Sequence, residues 1–571
     1  MIFKPARFQI VLLVCFFTFF AHAQDDDIGT EVINVVRPYT PSVSDAFKIK
    51  ETPSLSDSVT TQKKEVEYSI FSVPVASTFT PAKGKATTVE RKRPEKVFDN
   101  YATLGFGNYT SVLGEFYSNF EISREDNVDV FFKHNSSQGG IEDVVLDDKF
   151  YNSSLDVNYT SRQRDMSYNL GVGLLHQLYN WYGIAPQNLF YADQAEETGV
   201  DHSYFGLAAK GNVTFDDMIF SEGDIMVRYF GDSYSSSEIN ARVQPKFVFD
   251  LGGQDVGLNV DVNYLNGSFD RSYSDPNIDI QHSYLNTGAH PYIRFQNEDF
   301  SINLGAKVVY GMDMENSESD FFIYPKVNAS LKLVDEYVTV YAGADGDLLQ
   351  NTYYDFTQEN PFVSPTLLIA PTDMQYEGFG GIKGKFTNTI SYNLRGSYKN
   401  EIAKPLFTSN PFLNPVFNPS PEGYQFGNSF GVTYDDVTTL EVFGEIQAEI
   451  TTHVTLGVNA SYFNYTNDML PEAFNLPDLK ASAFLNAAFS EKIFGGMSLF
   501  YVGERTDFFD TTVRTLDGYF DANIHVGYNI NDQLTIFAKG SNLLSDNYEK
   551  WLNTPVQGIQ ALAGATYKFD W

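Results

Sequence analysis

The chain of 571 residues carries 39 Lys and Arg against 73 Asp and Glu, a formal net charge of −34, and its mean hydropathy is −0.25. So acidic a composition argues against nucleic acid as a partner and favours cations over anions near any pore mouth. Its one cysteine, Cys15, lies in an N-terminal apolar run, and no later segment approaches the roughly eighteen consecutive apolar residues of a membrane helix. Thiolate chemistry, disulfides and helical spans are therefore excluded from the remainder.

Residues 1–23 read as a secretory leader. Lys4 and Arg7 give a basic n-region, Ile10 to Phe20 an apolar h-region, and Ala21-His22-Ala23 a cleavage site that leaves Gln24 as the mature N-terminus. Residues 24–96 are rich in Pro, Ser and Thr, as in Arg37-Pro-Tyr-Thr-Pro41, and show little strand alternation. They form a periplasmic or lumenal N-terminal segment. Its end, Lys83 to Lys96, holds six cations against two acids. That stretch reads either as a solvated linker or as a basic strand held inside an acidic lumen.

From Asn100 onward one unit recurs: an alternating strand, a short polar turn, an alternating strand, a longer polar loop. In Asp255 to Tyr264, Val256, Leu258, Val260, Val262 and Tyr264 share one face, while Gly257, Asn259, Asp261 and Asn263 line the other. Ten short turns run from Arg124–Asn127 to Asn531-Asp532 and alternate with eleven longer connections that begin at Asn108 to Ser111. The bulkiest connections are Leu178–Asp201, Leu348–Thr372 and Glu401–Asn428. This count predicts twenty-two strands over 97–571, with both ends of the sheet on the short-turn side. Alternation with asymmetric loops is the pattern of an all-β transmembrane antiparallel barrel of the gram-negative outer membrane, apolar outside and polar inside. Tyr310, Phe322, Tyr324, Tyr501 and Tyr528 fall where interfacial girdles are needed. The last strand places Tyr567, Phe569 and Trp571 outward, an ending that looks like the signal read by the barrel-assembly machinery.

Motifs for chemistry are weak, and no catalytic, metal or cofactor residues are assigned. Gly427-Asn-Ser-Phe-Gly431 matches a nucleophile elbow, but it feeds a strand where that motif needs a strand–turn–helix. Asp313 to Asp320 and Asp345-Gly-Asp347 offer hard oxygens without the spacing of a calcium loop. The long loops carry Trp181, Tyr182, Phe190, Tyr191, Phe362 and Phe412, aromatic and Pro-flanked, which suit a ligand or partner contact, or a lid folded over the mouth.

Ser541-Asn-Leu-Leu-Ser-Asp-Asn-Tyr548, followed by the strand Gly558 to Trp571, resembles the C-terminal region of the TonB-dependent receptors, with Leu544 where that family usually has Phe. Near the mature N-terminus, Glu31-Val32-Ile33-Asn34-Val35-Val36 looks like a TonB box, which in that family pairs as a strand with TonB. The resemblance implies TonB as a partner. It departs at 24–96, which is too short for the family's folded plug and lacks its glycine-rich signatures, as in a plug-less or plug-reduced relative of the Bacteroidetes type. Three functions stay open: a receptor that binds or transports a nutrient through its extracellular loops, a non-transporting subunit docking another outer-membrane or periplasmic protein, and a passive cation-leaning channel.

Overall fold

The computed structural model describes residues 96–252, 254–418 and 420–571. The leader, the TonB-box-like run Glu31–Val36 and the N-terminal segment up to residue 95 lie outside these described residues. Twenty-two antiparallel strands form one closed sheet in which each strand pairs with its neighbours in the chain. The first strand, Asn100–Gly107, closes it against the last, Gln560–Phe569, in a register running from Asn100↔Phe569 to Gly107↔Leu562. The predicted count of twenty-two and the ten short turns both hold. Two loops add small hairpins of their own, Arg505–Phe509 with Thr512–Leu516 and Glu549–Trp551 with Thr554–Pro555.

The turns are tight because short polar side chains satisfy the backbone that leaves the ladder. Asn297 Oδ1 accepts from the amides of Asp299 and Phe300 at 2.9 and 2.8 Å, and Asn531 Oδ1 does the same for Gln533 and Leu534 at 2.9 Å each. At the opposite end the strands continue further than alternation suggested. Ile390–Ser409 and Phe430–Thr451 run for 20 and 22 residues, so the connection between them is shorter than Glu401–Asn428. Their ladder shifts register between Glu401 and Lys404, where Ala403 takes a φ of 52°.

Ion pairs fix which face is the lumen. Asp261, in the strand Asp255–Phe269, meets Arg242 at 3.0 Å and Lys307 at 3.8 Å. Lys307 lies two strands away, in Phe300–Asp313, so the contact passes over the interior of the barrel. The alternate residues therefore face lipid, and the exterior carries Leu170, Val172, Leu174, Leu207, Ile225, Val227 and Ile323, all exposed. In water so large an apolar surface would drive association; in hydrocarbon it is the solvated face.

Two expectations change. Tyr310 and Tyr528 do face outward, but Phe322 and Tyr324 point inward, stacked at 6.1 Å, with the Tyr324 hydroxyl donating to Asp373 at 2.8 Å. The adjacent aromatics Phe321 and Phe322 made either register possible, and Phe321 is the one exposed. Nor is the lumen wall uniformly acidic. Lys307 and Lys326 pair with Asp347 and Asp345 at 2.6 Å each, and Arg395 pairs with Glu377.

The register makes a prediction. Val260→Arg should destabilise the barrel by about 2–4 kcal/mol, whereas Asn259→Arg should be mild. Heat-modifiable gel mobility reads the difference; equal effects would mean that the faces are exchanged.

Candidate gate formed by the extracellular loops

The connection 350–371 contains the helix Tyr353–Glu359. Thr352 caps its start by accepting from the Asp355 amide at 3.0 Å, Asp355 puts negative charge in its first turn, and Pro361 follows its end. Although the flanking strands are Val338–Leu349 and Thr372–Thr387, the helix packs against distant inward-facing residues. Its Tyr353 amide donates to Glu238 at 2.6 Å and the Tyr353 hydroxyl to Asp232 at 2.7 Å. Gln358 and Gln177 exchange hydrogen bonds at 2.9 and 3.2 Å, and the Arg228 guanidinium lies 3.9 Å from the centre of the Tyr354 ring. On its other side Phe356 meets Phe407 edge-on at 5.8 Å, and Phe407 meets Trp551 at 5.2 Å. The segment is thus a beam crossing the interior of the mouth, not an arch above it.

Asp232 and Glu238 are the beam's latches, and both are buried. His202 Nε2 sits 3.0 Å from Asp232, and His282 Nε2 3.9 Å from Glu238. A carboxylate kept from water needs such partners, and removing one leaves a buried group uncompensated at a cost of about 3–5 kcal/mol. Tyr204, Phe230, Leu265, Phe269, Val363 and Leu367 complete an apolar cluster around Tyr353.

A second cluster joins the connections 181–200 and 410–429 through Tyr182, Ile184, Ala195, Val200 and Phe426. Of the loop aromatics singled out from the sequence, Trp181 is 1 % exposed and donates from Nε1 to the Phe362 carbonyl at 3.0 Å. Tyr182 is buried and its hydroxyl donates to the Pro555 carbonyl at 3.0 Å, while Phe362 packs edge-on against it at 5.3 Å. Tyr191 lies 5.1 Å from Phe412. Phe190 alone of the six presents its ring to solvent, 89 % exposed. The other five build the lid rather than decorate it. Gly423 is required there, since a Cβ would lie 1.8 Å from the Gly199 carbonyl oxygen.

The elbow-like Ser429 is buried, donates to the Tyr424 carbonyl at 2.7 Å and accepts from Asn410 at 2.9 Å, so its hydroxyl is committed to the lid. Asp313 accepts from the amides of Glu315 and Asn316 at 3.0 Å each, and Asp345 and Asp347 hold lysines. At the C-terminus Tyr567 is exposed on the outer face. Trp571 reaches across the first strand, stacking on Phe120 at 5.8 Å and donating to Ser118 at 2.9 Å, with Phe569 edge-on at 5.3 Å. Sequence reasoning missed Tyr353, Asp232, Glu238 and Trp551. The Thr352-x-x-Asp355 cap was a readable sign of the helix, but nothing local marked its distant partners.

Asp507 ties the hairpin Arg505–Phe509 to the lid by accepting from the Ser409 amide at 3.0 Å and the Ser409 hydroxyl at 2.8 Å. Burial pushes its carboxyl up to about 6, against the pull of these hydrogen bonds. A pKa raised on folding favours the folded form when protonated. Docking of this hairpin should therefore be strongest below about pH 4 and weaken as pH rises through 6. Amide protection at Phe508 and Val513 should be higher at pH 5 than at pH 7.5, and Asp507→Asn should flatten that difference.

No protein-family model and no curated protein sequence matches the chain. Solved structures do. The FrpB iron transporter from Neisseria meningitidis aligns with a TM-score of 0.63 at 12% identity, covering 83% of this chain and 82% of that one. The ferric-catecholate import receptor Fiu from E. coli K12 gives 0.58 at 11%, covering 84% and 82%, and the copper transporter OprC 0.58 at 14%, covering 84% and 82%. At such identities the likeness is one of fold: the chain shares with these receptors and transporters the architecture of a closed antiparallel β-barrel, here of twenty-two strands.

Proposed function

We propose that this protein is a receptor-like transporter of the outer membrane in which the inward-folded loops form the gate and recognition surface for a nutrient solute. The observation that carries this reading is the beam Tyr353–Glu359, which crosses the mouth on two carboxylate latches and aromatic contacts without joining the sheet. The helix takes no part in the strand-to-strand ladder, and among the described residues the chain beyond it is bridged to the barrel only where Val363 meets Phe430, the first residue of the strand Phe430–Thr451. The transport roles in the names of the similarly folded FrpB and OprC support the direction of the proposal. A passive channel fits less well, because the mouth is crossed by packed loops and Lys307, Lys326 and Arg395 on the wall hold carboxylate partners.

A scaffold for another protein is favoured by one feature: Phe190, Val416 and Phe417 stand exposed at the tips of two loops that pack together. Energy coupling separates the two readings. Under the uptake proposal Glu31–Val36 pairs with TonB as an added strand through main-chain hydrogen bonds, which tolerate side-chain change but not proline.

Two outcomes follow. Asp232→Asn combined with Glu238→Gln should release the beam, raising single-channel conductance in planar bilayers and speeding surface proteolysis within 350–371; unchanged conductance would show that the latches do not hold the gate. In cells, Asn34→Cys should crosslink to TonB and lose that crosslink when Val35→Pro is added, while Val35→Ala should be nearly silent. No crosslink, with normal fitness of the proline variant, would transfer the case to the scaffold.

A further inference from the structure

The outer tips of the lid present apolar groups to water. Phe190 and Phe417 are 89 % and 86 % exposed, more than any other large apolar residue among those described, the lipid-facing ones included. Val145 and Val416 are exposed as well. On the barrel wall hydrocarbon covers such side chains, but these lie on long connections, at the end of the barrel away from the short turns.

Neither ring sits on a slack loop. Asn414 Oδ1 accepts from the Val416 amide at 2.9 Å, and the Asn414 carbonyl accepts from the Phe417 and Asn418 amides at 2.9 and 3.1 Å. Asn418 Nδ2 donates to Gln425 Oε1 at 2.9 Å. Phe190 lies in the short helix Pro186–Tyr191, edge-on to Tyr191 at 5.2 Å, and Tyr191 leans on Phe412 at 5.1 Å. The two prongs are thus braced through Tyr191 and Phe412. Groups held in place before contact lose little freedom on binding, which is what a docking anchor needs.

The surroundings carry one sign. The stretches 138–148, 181–200 and 410–429 hold eight acids and no Lys or Arg. All three meet in one apolar cluster through Leu146, Ala195 and Phe426, and the Asp147 amide donates to Glu196 at 3.2 Å. Asp147 and Glu422 are paired from outside these stretches by Lys149 and Arg271, at 2.8 Å each. Glu142, Asp143, Asp193 and Glu197 are exposed, and none has a salt-bridge partner among the described residues.

Apolar anchors inside an acidic rim select a partner by charge. A second copy would bring the same acids to the contact, and a surface bearing phosphate groups would be repelled in the same way. We propose that this face docks another protein, one whose surface offers apolar pockets for the two rings between Lys or Arg side chains. The proposal goes beyond the uptake reading and does not depend on it. A docked protein suits a receptor and a scaffold alike, and the face uses neither the beam nor its latches.

The test uses the purified full chain in neutral detergent with dye-labelled peptides, read by fluorescence anisotropy. The peptide Lys-Phe-Lys-Lys-Phe-Lys should bind about tenfold more tightly than hexalysine, the scale of one well-placed aromatic anchor, and Glu-Phe-Glu-Glu-Phe-Glu should not bind. Phe190→Ser combined with Phe417→Ser should erase the advantage over hexalysine. Glu142→Gln with Asp193→Asn and Glu197→Gln should weaken both basic peptides and flatten their dependence on salt. Phe489→Ser, exposed at a short turn on the opposite end, should change nothing. No binding of the basic aromatic peptide, equal binding of the acidic one, or an advantage that survives the double variant with its gel mobility intact would overturn the proposal. So would a dimer in sedimentation velocity that the double variant loses, since a second copy would then be the occupant.

Discussion

A backbone N–H or C=O left unpaired in hydrocarbon costs several kcal/mol, so a sheet in a membrane has no stable edge. Everything else in this molecule depends on the meeting of Asn100–Gly107 with Gln560–Phe569. The seam joins short strands, and side chains reinforce it on both faces. Thr103 and Thr566 share a hydrogen bond at 2.8 Å, and the Asp99 amide donates to Asp570 at 3.1 Å. Trp571 spans from the last strand over the first to Ser118 and Phe120 in the second, which ties three strands where two would suffice to close the ladder.

Closure on twenty-two strands solves one problem and creates another, for it encloses an interior too wide for wall side chains to fill. The long connections answer at the outer end. They fold inward on their own aromatic cores, and Trp181 and Tyr182, which from the sequence suited either a ligand contact or a lid, are buried in that packing. Apolar burial supplies the bulk of the lid's cohesion, and the buried carboxylates Asp232 and Glu238 supply its orientation, since each accepts from one particular donor of Tyr353.

Strand number, turn positions and the inward face of Asp261 were legible because each is local: alternation reports the pleat, and a pair such as Asn531-Asp532 reports a turn. The reading failed where two registers were equally apolar, as at Phe321 and Phe322, and where strands outlast the membrane, as in Ile390–Ser409. The packing of the long loops was legible only in composition. Gln177 and Gln358 are 181 positions apart, and no local pattern announces that they touch.

The unequal strand lengths have a consequence for how anything reaches this protein. At about 3.3 Å per residue and a tilt near 40°, the 22-residue strand Phe430–Thr451 rises roughly 55 Å, while the eight residues of Asn100–Gly107 rise about 20 Å, no more than the apolar band of about 25 Å requires. Since the short turns lie together at the other end, the excess stands above the cell surface on one flank. The mouth therefore has a high bank and a low bank, and its approach has a compass direction in the membrane plane. The hairpins Arg505–Leu516 and Glu549–Pro555 belong to connections between short strands on the low side, and the first leans on the tall side through Asp507 and Ser409.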